Sequence, residues 1–217
     1  MRLAFPLFAT ALCICAPSHA NLLAGGGFET PVAPTASYLL NVTPSGWTGT
    51  GDTVAQGYAG SVSSGNGRQW FDLNPGANTG SGISQQVMLS GGMLYGVSFL
   101  YNGGQPNAGF TTAITVSVTT PNSTVFNATV STASMDVYSG TPWALYTDTF
   151  AVGADTVATF KFMPNGTWAN GFIDAASLTA VTAVPEPGGV ALMLVGLAAL
   201  LPLTRRLKPQ SDAPPAL

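Results

Sequence analysis

Apolar and polar residues alternate through much of the chain after residue 68. The segment from Leu94 to Leu100, for example, places Tyr95, Val97 and Phe99 on one face. A period of two residues is typical of a β-strand with one buried face, and no stretch of the body shows sustained helical periodicity. Alternation or a β-rich composition predicts eight strands: Gln69 to Leu73, Ile83 to Leu89, Leu94 to Leu100, Ile114 to Val118, Val125 to Val130, Ala144 to Val152, Thr156 to Phe162 and Phe172 to Val181.

Turn signals stand between these predicted strands. They are Asn66-Gly67, Asn102-Gly103, Pro121-Asn122 and Asn165-Gly166, pairs that favour or tolerate turn conformations. Short strands without crossover helices predict an all-β domain, and we expect an antiparallel β-sandwich of the jelly-roll type. A barrel of similar strands is the main alternative.

The first twenty residues predict a secretory signal peptide. Arg2 precedes an apolar stretch from Leu3 to Ala16, and the small residues Ser18 and Ala20 stand where a signal peptidase reads the chain. We expect the mature protein to begin at Asn21. A buried N-terminal helix is the alternative, but the prolines within and after the stretch disfavour it.

The chain also ends with an apolar segment. Gly188 to Leu203 contains no charged residue and precedes Arg205, Arg206 and Lys208. A helix of this length spans ~24 Å, somewhat less than the ~30 Å hydrocarbon core of a bilayer. We expect a single marginal transmembrane helix with its basic end in the cytoplasm. Residues 21–181 would then lie on the opposite, non-cytoplasmic side of the membrane. An amphipathic soluble helix is the alternative, but the segment is apolar on every face.

Composition removes several classes of chemistry. Cys13, Cys15 and His19 all lie in the predicted signal peptide, so the mature chain has no cysteine and no histidine. This excludes Ser-His-Asp and Cys-His catalysis, Cys/His zinc sites and disulfides. The body has only Arg68 and Lys161 as basic residues, too few to neutralise a row of phosphates, so we expect no nucleic-acid binding. Hydroxyl and amide side chains supply the polar surface, which suits neutral, hydroxyl-rich partners.

The tail has three parts in a fixed order: Val184-Pro185-Glu186-Pro187, the apolar segment, and Arg205 with Arg206. This arrangement resembles the PEP-CTERM sorting tail of Gram-negative bacteria. The prolines hold the backbone extended and present Glu186 outside the helix. The resemblance implies recognition by a membrane-embedded exosortase, which processes the tail and sends the body to the cell surface or the extracellular polymer matrix. The expected divisions are a signal peptide (1–20), a β-sandwich (21–181), a sorting and anchor segment (182–208) and a polar tail (209–217).

The body carries a second set of motifs: Asn21-Leu22-Leu23, Gly27-Phe28-Glu29-Thr30-Pro31, Gly46-Trp47, Gly67 to Leu73, Ile83 to Val87, Tyr95 to Phe99 and Phe172 to Leu178. Their order resembles galactose-binding-like jelly rolls, in particular the DUF642 and carbohydrate-binding-module group. The resemblance implies that the first and last strands lie close together and bring Glu29 near Asp174. Two carboxylates and backbone carbonyls suit Ca²⁺, so we expect a structural calcium ion here. The alternative is that both are solvated edge residues.

The same resemblance makes sugar binding an expectation, with aromatic side chains stacking on pyranose rings. Trp47 and Trp143 match framework positions and are expected to pack. Trp168, in a turn-rich segment, and Tyr138, near Gly140, are expected to be exposed and are the candidate ligand-binding residues.

Catalysis has little support in the sequence. A glycosidase needs two carboxylates facing one cleft, and Asp136 with Asp148 is the candidate pair, although both are also typical of solvated surface. We therefore expect an exported, non-enzymatic protein of the cell surface or extracellular matrix that binds polysaccharide weakly. The alternatives are a purely structural matrix component without a ligand and a small glycan-active enzyme.

Overall fold

The computed structural model describes residues 20–61, 64–73, 82–104, 113–165 and 171–181. Within these ranges the chain forms ten strands and two short 3₁₀ turns, the latter at Tyr58–Gly60 and Val137–Ser139. The strands are β1 (Tyr38–Val42), β2 (Gly51–Ala55), β3 (Gln69–Asp72), β4 (Ile83–Leu89), β5 (Leu94–Gly103), β6 (Ala113–Thr119), β7 (Thr124–Ser131), β8 (Ala144–Ala151), β9 (Thr156–Asn165) and β10 (Gly171–Val181).

The strands form two antiparallel sheets. One sheet has six strands in the order β1-β2-β3-β10-β5-β8, and the other has four in the order β4-β9-β6-β7. The inner faces of both sheets supply one shared hydrophobic core. This confirms the predicted all-β sandwich, since the strands belong to two separate sheets rather than to one closed barrel.

Alternation along the strands fills the core as predicted. Phe99 on β5, Val116 on β6 and Phe162 on β9 are completely buried, and the Phe99 and Phe162 ring centroids lie 5.0 Å apart. Trp47 packs against the same cluster, 5.9 Å from Phe162 between ring centroids, which confirms its predicted packing role. One-sided burial with a period of two is what makes these strands visible in the sequence.

Three local features differ from the prediction. Strand β2 was not predicted because all five of its residues are buried, which leaves no alternation to detect. Strand β1 was not predicted either, and its register with β2 is broken by an irregularity between Leu39 and Val42. Asn102-Gly103 is not a turn but the end of β5, where Gly103 pairs with Gly171.

The start of the described chain runs along the last strand. The backbone N–H of Leu22 donates to the carbonyl oxygen of Leu178 at 2.8 Å. The Asn21 side chain accepts a hydrogen bond from the Leu178 N–H at 2.9 Å and donates one to the Ala176 carbonyl at 2.9 Å. This agrees with the expectation that the two ends of the body lie together.

The predictions for the two termini lie outside the described residues. They concern the signal peptide up to His19 and the sorting segment with Val184, Pro185, Glu186, Pro187, Arg205 and Arg206. In the part of the chain that the structure describes, no helix is long and apolar enough to cross a membrane. The signal peptide, the transmembrane helix and the sorting motif stay predictions.

Candidate functional site

A β-bulge in β10 shapes the surface on which the candidate residues lie. Asp174 pairs with Leu100 and Ser177 with Ser98, so β10 has one more residue than β5 in this stretch, and Ala175 has a φ of 50°. A bulge of this kind bends the strand and redirects its side chains. Before the bulge, Ile173 points into the core, while its neighbours on either side point away from it. We call that opposite surface the outer face of the six-stranded sheet.

The side chains of Glu29 and Asp174 both accept hydrogen bonds from the backbone of residues 66–69, and we call this pair the carboxylate clamp. The Asn66 backbone N–H donates to Asp174 Oδ2 at 2.6 Å. The Arg68 and Gln69 N–H groups donate to Glu29 Oε1 at 2.8 and 3.3 Å. The structure therefore brings together the two carboxylates that the sequence predicted to approach each other.

Asp174 is an unusual carboxyl group because it is completely buried. Burial raises its pKa to about 7; the nearby charge of Glu29 acts in the same direction, and the hydrogen bonds from Asn66 and Ala175 partly oppose it. A nearby cation would stabilise the ionised form of a carboxyl group in this position. No group of three or more acidic, histidine or cysteine residues that can hold a metal occurs in the described ranges, so further ligands for a metal would be carbonyl oxygens or water.

A groove of about 730 Å³ opens beside the clamp. Its floor includes Gln69, whose side-chain amide donates to the Phe28 and Pro31 carbonyl oxygens at 2.6 and 2.8 Å and accepts from the Ala33 N–H at 2.9 Å. Gln69 thus fixes the segment that forms one wall. Arg68 also lines this groove.

Six aromatic rings form a continuous series outside the sandwich core, and we call it the outer aromatic chain. Successive ring centroids are 4.9, 6.4, 6.1, 6.2 and 5.9 Å apart in the order Tyr38, Tyr58, Tyr138, Phe172, Trp70 and Trp143. Four of the five contacts are edge-on, and the fifth is tilted, which are favourable geometries for aromatic pairs. Val54 and Val137 complete this second hydrophobic cluster.

Exposure changes along the outer aromatic chain. Trp70 and Phe172 are completely buried, whereas Tyr38 is 40% exposed and Tyr58, Tyr138 and Trp143 are half-buried. The outer aromatic chain therefore has a buried centre, formed by Trp70 and Phe172, with partly exposed rings on both sides of it. Trp70 Nε1 is buried and has no hydrogen-bond partner among the described residues, although buried donors normally have one.

One sequence-based expectation changes at this cluster. Tyr138 was expected to be exposed but is half-buried, because its ring packs edge-on against Phe172. Burial raises the pKa of Tyr138, and the charges of Asp72, Tyr58 and Asp136 act in the same direction. Trp168, the other candidate ligand-binding residue, lies outside the described residues.

Sequence reasoning missed two carboxylates beside the outer aromatic chain. Asp52 on β2 pairs with Asp72 on β3, and Asp72 pairs on its other side with Phe172. Side chains that are directly opposite in an antiparallel sheet have Cβ atoms roughly 4.5–5.5 Å apart. Burial raises the pKa of Asp52, and a hydrogen bond from the Asn41 N–H partly offsets this. Only the strand register reveals the pair, and β2 itself was not predicted.

A second, smaller pocket of about 350 Å³ lies on the same sheet, lined mainly by small and hydroxyl-bearing residues of β5, β8 and β10. None of the six rings of the outer aromatic chain lines this pocket. A methyl group on Gly65 would stand 2.5 Å from Leu100 Cδ1 and 3.3 Å from Trp143 Cδ2, so the turn lies directly over these side chains. The pocket and the aromatic chain are therefore distinct surfaces.

Asp136 and Asp148 do not form a catalytic pair. Asp136 accepts a hydrogen bond from the Tyr138 N–H at 2.9 Å and follows Met135, whose carbonyl oxygen lies next to Gly103. Asp148 pairs with Val97 on β5. Six strand positions separate Val97 from Gly103, roughly 20 Å, which is far beyond the spacing of glycosidase carboxylates.

Comparison with known proteins supports the fold. No family model matches the chain, and no curated protein matches it. The arabinose-bound α-L-arabinofuranosidase MgGH51 is 14% identical over 78% of this chain and 28% of that one, with a TM-score of 0.51. The tandem CBM22-1–CBM22-2 domain of Paenibacillus barcinonensis Xyn10C is 18% identical over 83% of this chain and 50% of that one, with a TM-score of 0.47. The module TmCBM61, solved with β-1,4-galactotriose, is 17% identical over 75% of this chain and 99% of that one, with a TM-score of 0.44. At these identities the likeness concerns the fold alone, and of these three structures only the arabinofuranosidase has a TM-score above 0.5.

Proposed function

We propose that the body is a non-enzymatic polysaccharide-binding module and that the outer aromatic chain is its binding surface. The observation that carries this proposal is the series of six touching rings on the outer face, with half-buried rings on either side of a packed centre. The C–H faces of sugar rings stack on aromatic rings, and sugar hydroxyls donate to carboxylates. Asp52 and Asp72 supply such acceptors in the adjoining row.

Removal of single rings tests the surface. Among the polysaccharides that slow the parent protein in the gel, we expect Tyr138→Ala and Trp143→Ala to raise the Kd at least tenfold, because each change removes a stacking surface. Tyr146→Ala is the matched control, since Tyr146 contacts Phe99 and lies outside the outer aromatic chain. Affinity electrophoresis of the purified protein through gels containing soluble glucans, xylans or galactans gives the measurement.

Each alternative role has its own outcome in the same experiment. Unchanged mobility in every gel, for all variants, would favour a structural matrix protein without a ligand. Release of new reducing ends from a polysaccharide would instead favour a glycan-active enzyme. Equal retention of the parent protein and both ring variants would remove the outer aromatic chain as the binding surface.

We further propose that the carboxylate clamp binds a structural Ca²⁺. The support is the convergence of Glu29 and Asp174 on one turn and the complete burial of Asp174. Oxygen ligands of this type are those that Ca²⁺ prefers. Thermal melting with excess EDTA and with added CaCl₂ tests it: we expect a higher midpoint with calcium for the parent protein and the same midpoint under both conditions for Glu29→Gln.

The last part of the proposal concerns location. We propose that the chain is exported, is transiently anchored in the inner membrane by the segment from Gly188 to Leu203, and is processed by an exosortase-type enzyme that recognises residues 184–187. The support is the order of sequence features at the two termini. We expect replacement of residues 184–187 by alanine to leave an unprocessed protein in the membrane fraction of the native host, while the parent protein reaches the surface or medium. Equal distribution of the two would overturn the sorting role.

A further inference from the structure

The two aspartates beside the outer aromatic chain bear on which sugars this surface takes. We propose that the site selects an amino-sugar polymer with free amino groups, whose ammonium groups lie against Asp52 and Asp72. The inference rests on the proposed polysaccharide-binding function and adds the chemical class of the ligand.

The strand register places the carboxylates next to the rings. Asp52, Asp72 and Phe172 occupy one row across β2, β3 and β10, and the adjacent row on the same face contains Val54 and Trp70. Asp72 lies directly opposite Phe172 in the sheet, and the Phe172 ring centroid is 6.1 Å from that of Tyr138, so this carboxylate lies one ring away from the phenol. A sugar stacked on Tyr138 would therefore carry its substituents within reach of Asp72.

The charge of this surface is one-sided. Basic residues of the described ranges are Arg68, which lines the groove beside Glu29, and Lys161, which pairs with Ser84 and Ser117 on the other sheet. Asp136 adds a third nearby carboxylate, since it accepts a hydrogen bond from the Tyr138 N–H at 2.9 Å. The field at the outer aromatic chain thus favours a cation and repels a uronic acid.

Burial increases the effect of these charges. Asp52 is only 9% exposed, and charges that are partly removed from water are screened less than charges on an open surface. Hydrogen bonds from an ammonium group to a carboxylate are about twice as strong as those between neutral groups. Tyrosine rings add cation–π attraction. A neutral sugar would receive only the ordinary hydrogen bonds and the stacking.

A separate observation points to a ligand at the same place. Trp70 lies on the same face as Asp72, and its Nε1 donor is buried with no hydrogen-bond partner among the residues described. Such donors are normally satisfied. A sugar oxygen seated between the rings would supply the acceptor that this indole lacks.

Titration calorimetry with matched oligosaccharides tests the proposal. The ligands are glucosamine oligomers, their N-acetylated counterparts of equal length, glucose oligomers and galacturonic acid oligomers, all at a pH where the amines are protonated. We expect the glucosamine oligomers to bind the purified protein at least tenfold more tightly than the N-acetylated or glucose oligomers. We expect the galacturonic acid oligomers to bind most weakly.

Isosteric variants separate a local contact from general attraction to an acidic protein. We expect Asp52→Asn and Asp72→Asn to reduce the preference for glucosamine oligomers severalfold. Asp148→Asn changes the net charge equally at an exposed position on β8, and we expect it to keep the preference. Because a variant can fail to fold, each is compared by thermal melting, and the parent protein is also titrated at increasing NaCl, where the preference should shrink.

The outcomes of this experiment distinguish the inference from the function on which it rests. Equal affinity of the parent protein for amino, acetylated and neutral oligosaccharides would overturn the amino-sugar preference and leave polysaccharide binding in place. An equal loss of preference in Asp148→Asn would also overturn it, since net charge alone would then account for the binding. No binding of any oligosaccharide would overturn both.

Discussion

Asp174 shows how one buried residue couples stability to pH. Its pKa is raised from an ordinary value of 3.8 to about 7, so the folded protein favours the protonated form more than the unfolded chain does. The resulting contribution to stability is complete below about pH 4 and is lost as the pH rises through about 7. A shift of this size corresponds to roughly 4 kcal/mol in total.

This linkage predicts the pH dependence of the metal-free protein. In EDTA we expect the free energy of unfolding to fall between about pH 4 and pH 8, because Asp174 must ionise inside the fold. Asp174→Asn should show a flatter profile and be the more stable protein at the alkaline end. Urea unfolding across this range provides the measurement. Parallel profiles for the two proteins would contradict the assignment of the pH effect to Asp174.

For single residues, the sequence predicted which side chains lie close together better than it predicted how deeply they are buried. The resemblance of their motifs to a known fold led to the expectation that Glu29 and Asp174 approach each other, and both carboxylates accept hydrogen bonds from the same turn. The half-buried state of Tyr138 was not expected, because its burial depends on Phe172, far away in the sequence. The sequence alone does not bring Asp52 and Asp72 together, since their proximity exists only through the pairing of two strands.

Among the structural elements, the segment before β1 and the last strand β10 depend on one another. The Ala176 N–H donates to the Gly26 carbonyl oxygen at 2.8 Å, and a methyl group on Gly26 would overlap the Ala176 carbonyl oxygen. A backbone atom cannot swing aside as the end of a side chain does. Gly26 is therefore required by close approach of two backbones.

We expect Gly26→Ala to destabilise the protein by about 1–3 kcal/mol, the usual cost of forcing an extra methyl group into a packed site. Gly153→Ala is the control, because nothing lies within 4 Å of a methyl group there. Differential scanning calorimetry of the two variants gives the comparison. If both variants melt with the parent protein, the N-terminal segment is not firmly docked on β10.

Strand prediction missed only β1, which is mostly exposed, and β2, which is buried on both faces, among the strands of the described residues. All eight strands predicted from the sequence are present, and Ile83–Leu89 has the same bounds in both. By contrast, β2 is covered on both sides, so its five residues carry no period. The Asn102-Gly103 pair has the composition of a turn. In the structure, however, Asn102 is a completely buried residue of β5, and its side-chain amide donates to the Thr141 carbonyl oxygen at 3.0 Å.

At the scale of the whole body, the described residues form two separate hydrophobic clusters. The larger one lies between the sheets and includes Phe99 and Phe162, and the smaller one lies on the outer face around Trp70. Since their residues do not overlap, stability and ligand binding should depend on different side chains. The sequence supplied the first cluster through alternation but not the second, which draws on β2, β3, β10 and both 3₁₀ turns.

This separation predicts opposite profiles for two variants. Phe162→Ala should lower the free energy of unfolding by about 3–5 kcal/mol while the folded fraction keeps its affinity for the polysaccharide. Tyr138→Ala should lower the affinity with a smaller loss of stability, because its ring is already half-exposed. Urea unfolding and affinity electrophoresis on the same preparations test both. Comparable losses of stability and affinity in the two proteins would mean that the clusters act as one unit.

The position of β10 has a mechanical consequence. Residues 171–181 are hydrogen-bonded to β5 along nearly their whole length, and their opposite edge is covered by β3 at one end and by the Asn21–Leu22 segment at the other. A pull on the chain beyond Val181 would act along this strand and load bonds on both edges together, in shear rather than one at a time. A body fastened by that end would resist being unravelled by flow or by the drag of a polymer attached to it.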